Sequence, residues 1–166
     1  MELEPLDLLQ ADAETVLLYV EGLMTGEANW VATLANLSSV LHEALGRVNW
    51  TGFYITSDTG QELIVGPFQG KVACTRIAVG QGVVGTAART RSSLIVPDVH
   101  KFPGHIACDS ASRSEIVVPI TAGARLFGVI DVDSPEEDRF QSAECSLLEQ
   151  VASRVAARWP SSFHQT

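Results

Sequence analysis

One cysteine of this chain stands in a segment that has no apolar periodicity. The stretch HIACDSASRSE, residues 105–115, carries Cys108 among aspartate, serine and alanine residues. Such residues favour turns because their side chains compete for backbone hydrogen bonds, and surface loops disproportionately carry function. A cysteine kept for packing usually sits in an apolar helix or strand. The pattern therefore predicts an accessible loop thiol that takes part in chemistry.

The chain has three cysteines, Cys74, Cys108 and Cys145, without the tight spacing of a disulfide framework. This odd count is typical of a reducing compartment, where we expect the thiols to rest reduced and any pairing to be transient and catalytic. Cys145 falls in the last predicted helix and is most simply a packing or bystander thiol. Lys71 and Arg113 are either surface charges or help to hold Cys108 as a thiolate.

The spacing His105-x-x-Cys108, with His100 and Cys74 elsewhere, suggests a zinc site. No C-x-x-C pair or H-x3-H arm accompanies it, although structural zinc sites normally have such spacings. We therefore predict no metal, and we expect His100 to be a solvated loop histidine.

Two carboxylates alternate with apolar residues in the segment GVIDVDS. On a strand, Asp131 and Asp133 point to one face, while Ile130 and Val132 point to the other. Two carboxylates on one face disfavour each other's ionisation, so one of them can hold a proton at neutral pH. Such a pair binds a cationic ammonium or acts as a general acid. A solvated outer face of the sheet is the equally simple alternative.

Aromatic residues follow the same rule in NWTGFY, where Trp50 and Tyr54 share one face of a strand. They are either core aromatics or the wall of a pocket for an apolar or sulfur-bearing group. Glu115 ends SRSE, which has the form of a helix capping box. The β-branched run IVVPI follows at once, so we interpret Glu115 as the first residue of a strand.

The segment GQGVVG, from Gly80 to Gly85, formally matches the dinucleotide-binding fingerprint. That site needs a full-length helix within a parallel unit, whereas here the helix must end near Thr90, before RSSLIV begins a strand. The glycines more simply predict a tight strand-to-helix turn. The first turn of that helix would still offer backbone N–H groups to a small anion such as a carboxylate.

The chain is acidic, with a net charge of −9 and a pI near 4.8, and its sequence has no basic stripe. Nucleic acid and anionic membranes are therefore not expected partners. The first residues, MELEPLDLLQ, are acidic where a secretory signal would be basic, and no apolar run approaches the roughly 20 residues that span a bilayer. We expect a cytoplasmic protein.

The apolar periodicity changes near residue 49. Before it, apolar residues recur every three or four positions over 6–24 and 30–45, which predicts two helices, the second ending in a left-handed cap at Gly46. After it come the β-rich runs NWTGFYI, QELIVGPF, SSLIV, EIVVPI and RLFGVIDVD. The spaces between the runs are too short for repeated crossover helices, so we expect a mainly antiparallel sheet. A last helix is predicted over 142–158.

These elements predict an α+β fold with N-terminal helices in 1–46, the sheet and active-site loops in 47–134, and a C-terminal helix in 140–160. We find no internal repeat, low-complexity tract or linker, and we expect a single domain over 1–166.

Several segments occur in a fixed order: NWTGFY, GPFQGKVAC, VGQGVVGTA, DVHKFPGHIACDSASRSEIVVPI and GVIDVDS. Together they closely resemble the free methionine-R-sulfoxide reductases. The likeness covers residues 24–155 and is most specific over 98–120. It implies the GAF fold, with a central, mainly antiparallel sheet of about six strands, two N-terminal helices and a C-terminal helix packed on it.

The resemblance implies an enzyme that reduces free L-methionine-R-sulfoxide with two cysteines and no cofactor. Cys108 matches the nucleophile, and Cys74 matches the thiol that resolves it. Many relatives carry a third cysteine where this chain has Val84. The residues matching the substrate pocket are the aromatic pair Trp50 and Tyr54, the acidic cluster Glu115, Asp131 and Asp133, and the neighbours of the nucleophile, Ile106 and Ala107.

Combined with the residue chemistry, this gives a mechanism as a hypothesis. The Cys108 thiolate attacks the sulfoxide sulfur while a neutral carboxylic acid protonates the oxygen, and Glu115, Asp131 and Asp133 stay alternatives for that acid. Cys108 becomes a sulfenic acid, Cys74 condenses with it, and a thioredoxin-type dithiol reduces the disulfide. A homodimer is also implied by the resemblance.

Two other functions stay open at this point. The first is a non-catalytic GAF-type sensor that binds a small molecule such as a cyclic nucleotide, because a fold alone does not fix a function. An acidic pocket that repels phosphate argues against that ligand. The second is a redox sensor in which Cys74 and Cys108 pair without turnover.

Overall fold

A computed structural model describes residues 7–163. Its helices are α1 (Ala13–Met24), α2 (Trp30–Leu45), α3 (Gly82–Thr90) and α4 (Ser142–Ala157), and its strands are β1 (Trp50–Thr56), β2 (Glu62–Gly70), β3 (Arg76–Ala78), β4 (Leu94–Val96), β5 (Ser114–Ala122) and β6 (Arg125–Ser134). The strands form one sheet in the order β3-β2-β1-β6-β5-β4, and all neighbouring strands are antiparallel. The predicted α+β fold and its antiparallel sheet are confirmed.

The first helix differs from the prediction over 6–24. A short 3-10 turn (Leu8–Gln10) comes first, and α1 begins only at Ala13. The break has a local cause, because Asp12 is in an extended conformation and its carboxylate accepts the backbone N–H of Thr15, which is an N-cap. Residue 6, where the prediction began, lies outside the described residues.

The second helix begins and ends where the sequence predicts. Its last residue, Leu45, is followed by Gly46 with φ 56° and ψ 159°. Gly46 thus has the positive φ that favours glycine, but its ψ is extended, so the predicted left-handed cap is wrong in detail. The last helix, α4, matches its prediction to within one residue, and Gln141 and Glu144 form a capping box at its start.

The sheet has a different layer on each face. On one face, α1, α2 and α4 cover apolar side chains that alternate along the strands, such as Ile116 and Val118 of β5 and Ile130 and Val132 of β6. The other face carries α3 and the loops, and its apolar cluster includes Trp50, Tyr54, Val117 and Val129, with Val84 and Ala87 from α3. The acidic residues of β5 and β6 belong to this second face.

The glycines of GQGVVG make the predicted strand-to-helix turn. Gly80 and Gly82 have φ values of 95° and 62°, which favour glycine. A Cβ at Gly85 would overlap the carbonyl oxygen of Ala78, so the helix packs against the end of β3 only if residue 85 has no side chain. α3 has nine residues, too few for a dinucleotide-binding unit.

Within residues 7–163, no helix is both long enough and apolar enough to cross a membrane.

Candidate active site

A cavity of about 510 Å³, its open mouth included, lies between the sheet, the start of α3 and the two cysteine loops. Most of the predicted site residues line it: Trp50, Tyr54, Ile106, Cys108, Glu115, Asp131 and Asp133. The other residues that line the cavity are Val72, Ala73, Ile77, Gln81, Gly82, Val83, Val84, His105, Asp109 and Ser112. The structure thus brings into one place residues that are up to 83 positions apart, from Trp50 to Asp133.

The pairing of β1, β6 and β5 places the acidic and aromatic side chains at the base of the cavity, the cavity floor, in one row. Asp133 of β6 pairs with Trp50 of β1 on one side and with Glu115 of β5 on the other. Asp131, two residues earlier, leaves β6 on the same face as Asp133. Three hydrogen-bonded strands therefore fix the positions of these side chains.

The three carboxyl groups are close enough to act as one cluster. One oxygen of each lies within 4.8 Å of an oxygen of the others, which gives a site for a single cation. Glu115 and Asp131 are each only 5% exposed, and Asp133 is partly buried. A solvated outer face, the alternative interpretation of the aspartate pair, is therefore excluded.

Burial and mutual repulsion keep protons on this cluster. Burial raises the pKa of Glu115 well above its usual range, and the charges of Asp131 and Asp133 raise it further. Burial also raises the pKa of Asp131, to about 7, although a hydrogen bond from Glu115 opposes the shift. The pKa of Asp133 is raised by burial and then by the charges of Asp131 and Asp109.

The causes of the pKa shifts distinguish Glu115 from Asp131. Burial and both aspartates raise the pKa of Glu115 well above its usual range, whereas Glu115 lowers the pKa of Asp131, so Glu115 holds its proton more strongly than Asp131 does. The Oδ1 atom of Asp131 is buried and has no hydrogen-bond partner among the described residues. A buried carboxylate oxygen without a partner is costly, so this atom is suited to accept from a ligand.

The aromatic wall also holds the loop that carries Cys74. Trp50 stacks between Tyr54 and Phe68, with ring centroids 5.7 and 5.1 Å away. Its Nε1 donates to the carbonyl of Lys71 at 3.1 Å, and the Tyr54 hydroxyl donates to the carbonyl of Cys74 at 3.1 Å. Burial, and then the carboxylates, raise the pKa of Tyr54, which keeps this hydroxyl a donor.

Cys74 and Cys108 form a disulfide between the β2–β3 loop and the loop before β5. We expected resting thiols from the composition, and the structure instead holds the oxidised pair. The two partners are those that the resemblance implies. Cys145 lies apart on α4, with its Sγ 3.6 Å from an oxygen of Glu149, and burial raises its thiol pKa, which agrees with a bystander thiol.

Asp109 ties the Cys108 loop to the start of β1. One carboxylate oxygen accepts the N–H of Ala111 at 2.9 Å, and the other accepts from the Asn49 side chain at 3.0 Å. Asn49 donates at the same distance to the Ser112 hydroxyl, and the Lys71 ammonium lies 4.0 Å from Asp109. Sequence reasoning missed these contacts, although Asn49 directly precedes Trp50 and Asp109 directly follows Cys108.

Two predicted site residues, Cys74 and Ala107, do not line the cavity, although Cys74 is bonded to Cys108, which does. Ile106 lines the cavity and packs beside Gly82, whereas the Ala107 side chain is exposed and is not part of the lining. Lys71 faces Asp109, and Arg113 forms an ion pair with Glu137, which fits the interpretation of both as surface charges.

Zinc is not supported within residues 7–163. The structure gathers no third histidine, cysteine or carboxylate ligand around His105 and Cys108, and Cys108 is in a disulfide. His105 instead faces Glu115, with Nε2 3.9 Å from the carboxyl Oε2. Because the two residues are separated by a loop, their spacing in the sequence gave no signal of this contact.

The comparisons agree with the geometry. The GAF domain family matches residues 7–159. The free methionine-R-sulfoxide reductase of Saccharomyces cerevisiae is 47% identical over 148 residues, covering 86% of this chain and 82% of the relative. The enzyme of the same name from Escherichia coli is 47% identical over 133 residues, covering 80% and 79%.

A solved structure makes the same link. The free methionine-R-sulfoxide reductase from Neisseria meningitidis, in complex with its substrate, superposes with a TM-score of 0.85 at 42% identity and covers 89% of this chain and 87% of that one. The chain therefore belongs to the GAF-domain family and, within it, to the free methionine-R-sulfoxide reductases, which are oxidoreductases.

Proposed function

We propose that this protein reduces free methionine-R-sulfoxide to methionine in a thiol cycle that uses Cys108 and Cys74. The observation that carries the proposal is one cavity in which Cys108 and the cluster of Glu115, Asp131 and Asp133 line the same space. A sulfur nucleophile, a neutral acid and a site for a cation are the three groups that this substrate needs. The preference for the R epimer rests on the relatives.

In the first step, the reduced Cys108 attacks as a thiolate at the sulfoxide sulfur. Glu115 protonates the sulfoxide oxygen as the S–O bond breaks, because burial and the charges of Asp131 and Asp133 raise its pKa and keep it protonated. The sulfur of methionine is reduced by two electrons, and Cys108 is oxidised to a sulfenic acid that carries the oxygen and its proton. Glu115 is left as a carboxylate.

In the second step, Cys74 resolves the sulfenic acid. Its sulfur forms a bond to the Cys108 sulfur, and the hydroxyl group leaves as water with the thiol proton. The product is the disulfide present in the structure. A thioredoxin-type dithiol then reduces it by exchange. Val84 lines the cavity where many relatives have a cysteine, so this cycle uses a single disulfide.

The acidic cluster favours the free amino acid over a peptide. The α-ammonium of free methionine sulfoxide donates charge-assisted hydrogen bonds to Asp131 and Asp133. A residue within a peptide offers an uncharged amide there, which leaves the buried Oδ1 of Asp131 without a charged partner, at a cost of about 1–3 kcal/mol. Trp50 and Tyr54 form the apolar wall for the methylsulfinyl group.

The assay that tests this proposal follows NADPH oxidation through thioredoxin reductase and thioredoxin. The substrates are the R and S epimers of free methionine sulfoxide and a peptide that contains the sulfoxide. We expect turnover of the free R epimer, its loss in Cys108→Ser and its retention in Cys145→Ser. Retained binding of methionine sulfoxide without turnover would instead favour a sensor, and a disulfide formed by peroxide but not by the sulfoxide would favour a redox sensor.

We include the cytoplasmic location and the homodimer in the same proposal. A cycle that depends on a dithiol partner fits the cytoplasm, where thiols are kept reduced. The homodimer implied by the resemblance stays a prediction, which light scattering during size-exclusion chromatography tests directly.

A further inference from the structure

His105 is the one histidine among the described residues that line the cavity. Its side chain is 14% exposed, and its Nε2 lies 3.9 Å from Oε2 of Glu115, which is 7% exposed by side chain. His105 thus contacts the proposed proton donor on one side and keeps a small exposed area. No step of the proposed cycle uses it.

The proposed cycle creates a need for proton return. Each attack by the Cys108 thiolate consumes the proton of Glu115, whereas the thiol proton of Cys108 has already left to solvent when the thiolate formed. The neighbours of Glu115 in the cluster are Asp131 and Asp133, whose own pKa values are raised, so they compete with Glu115 for protons and do not give them up readily. Glu115 is buried, so its proton must come through another group or through the open cavity.

We propose that His105 returns the proton to Glu115 after each turnover and holds its carboxyl group in place. This inference rests on the proposed function. The imidazolium gives its Nε2 proton to Oε2 of Glu115 and is left as a neutral imidazole with its proton on Nδ1. The ring then takes a proton from solvent at Nε2, so it ends each turnover in the state in which it began and no further reactant is needed. His105 acts through Glu115 and is therefore a positioning residue.

The geometry and charges around His105 fit this role. The titratable groups that face it are Glu115 from β5 and His100 from the 3-10 turn Val99–Lys101, while Asp109, Asp131 and Asp133 line the same cavity. A separation of 3.9 Å is too long for a hydrogen bond, but catalytic hydrogen bonds often tighten only when substrate binds. Burial, and then the charge of His100, lower the pKa of His105, so its imidazolium is a stronger acid than that of a solvated histidine.

The test compares the first turnover with later turnovers in His105→Gln. The reduced enzyme starts with Glu115 protonated, so methionine formation in a rapid-quench single turnover should stay within about twofold of the wild type. Steady-state turnover with saturating thioredoxin should fall by about tenfold or more, which is within the range that a general acid or base contributes to a rate. Added imidazole should restore it in proportion to its concentration.

The control is Lys101→Gln, which changes an exposed side chain of the same loop region that pairs with Asp98, and it should leave both rates near those of the wild type. His105→Asn serves as a second variant, and near-ultraviolet circular dichroism checks that each variant is folded. Steady-state rates equal to the wild type, or a loss that imidazole does not restore, would overturn the inference. Absence of a first turnover in the wild type would instead refute the proposed function on which it rests.

Discussion

Glu115 of β5 and Asp133 of β6 are direct cross-strand partners, so two carboxyl groups leave the sheet side by side. Like charges in such positions destabilise a sheet, and burial adds to the cost. The protein tolerates the pair because Glu115 keeps its proton. A site built this way should lower the stability of the fold in a manner that depends on pH.

Asp131→Asn should therefore stabilise the protein, and more so at higher pH. The pKa of Asp131 rises from 3.8 to about 7 on folding, so the native state binds more protons than the unfolded state between these values. Wild-type stability then falls as pH rises through this window, and the cost is fully present above pH 7. We expect the variant to gain about 1 kcal/mol or more at pH 8, or about 2–4 °C in Tm, and less at pH 5.

Thermal unfolding at pH 5 and pH 8 measures this difference. Asp138→Asn is the control, because Asp138 is exposed and its Oδ1, which asparagine retains, accepts from Gln141. A stabilisation by Asp131→Asn that is the same at both pH values, or a loss at pH 8, would contradict the argument from the raised pKa.

Glu115→Gln should remove the proton donor without changing the shape of the cavity. The first turnover should slow by about 10²–10⁴-fold, the usual contribution of a general acid, while KM should change much less. Rapid-quench measurement of methionine formation tests this. Glu62→Gln, which affects only an exposed ion pair with Arg76, should behave as the wild type. A first-turnover rate unchanged in Glu115→Gln would move the acid role to another group.

Cys74→Ser should separate the two halves of the cycle. The variant retains the Cys108 nucleophile, so one equivalent of methionine should form at a normal rate. Turnover with thioredoxin should then fall by at least about tenfold, because the sulfenic acid has no resolving thiol. Mass spectrometry should detect the trapped sulfenic acid. Full thioredoxin-dependent turnover in Cys74→Ser, with loss in Cys145→Ser, would make Cys145 the resolving residue instead.

Tyr54→Phe should act on the resolving loop rather than on the nucleophile. The hydroxyl donates to the carbonyl of Cys74, and its removal leaves that carbonyl without this partner. We expect a loss of about 1 kcal/mol in unfolding free energy and a several-fold slower formation of the disulfide. Stopped-flow tryptophan fluorescence after one equivalent of substrate follows that step. Disulfide formation as fast as in the wild type would show that the hydrogen bond does not position Cys74.

Local patterns predicted the parts of the site better than their assembly. Alternation along GVIDVDS placed Asp131 and Asp133 on one face, because the side-chain period of a strand is a local property. The same pattern left burial open, since it contains no information on what covers that face. The register that sets Glu115 beside Asp133 depends on the turn between β5 and β6 and on packing of both strands.

Contacts between loops were the least predictable. Asn49 and Asp109 are 60 residues apart, and their hydrogen bond exists only because the sheet brings the start of β1 close to the loop before β5. The break before α1 was missed for the opposite reason. The apolar stripe over 6–24 continues through it, whereas the interruption depends on the single cap formed by Asp12.

The cavity residues and the disulfide lie on different kinds of backbone, strands and loops, and this has an evolutionary consequence. Every acidic and aromatic group of the cavity floor is carried by β1, β5 or β6, whereas both cysteines of the disulfide lie on loops. Loops accept sequence change more readily than paired strands. In the proposed cycle, replacing the two thiols would therefore abolish turnover and leave the pocket for methionine sulfoxide on the strands in place. With that cycle, a catalyst and a receptor for the same metabolite would differ by very few mutations and would share one fold.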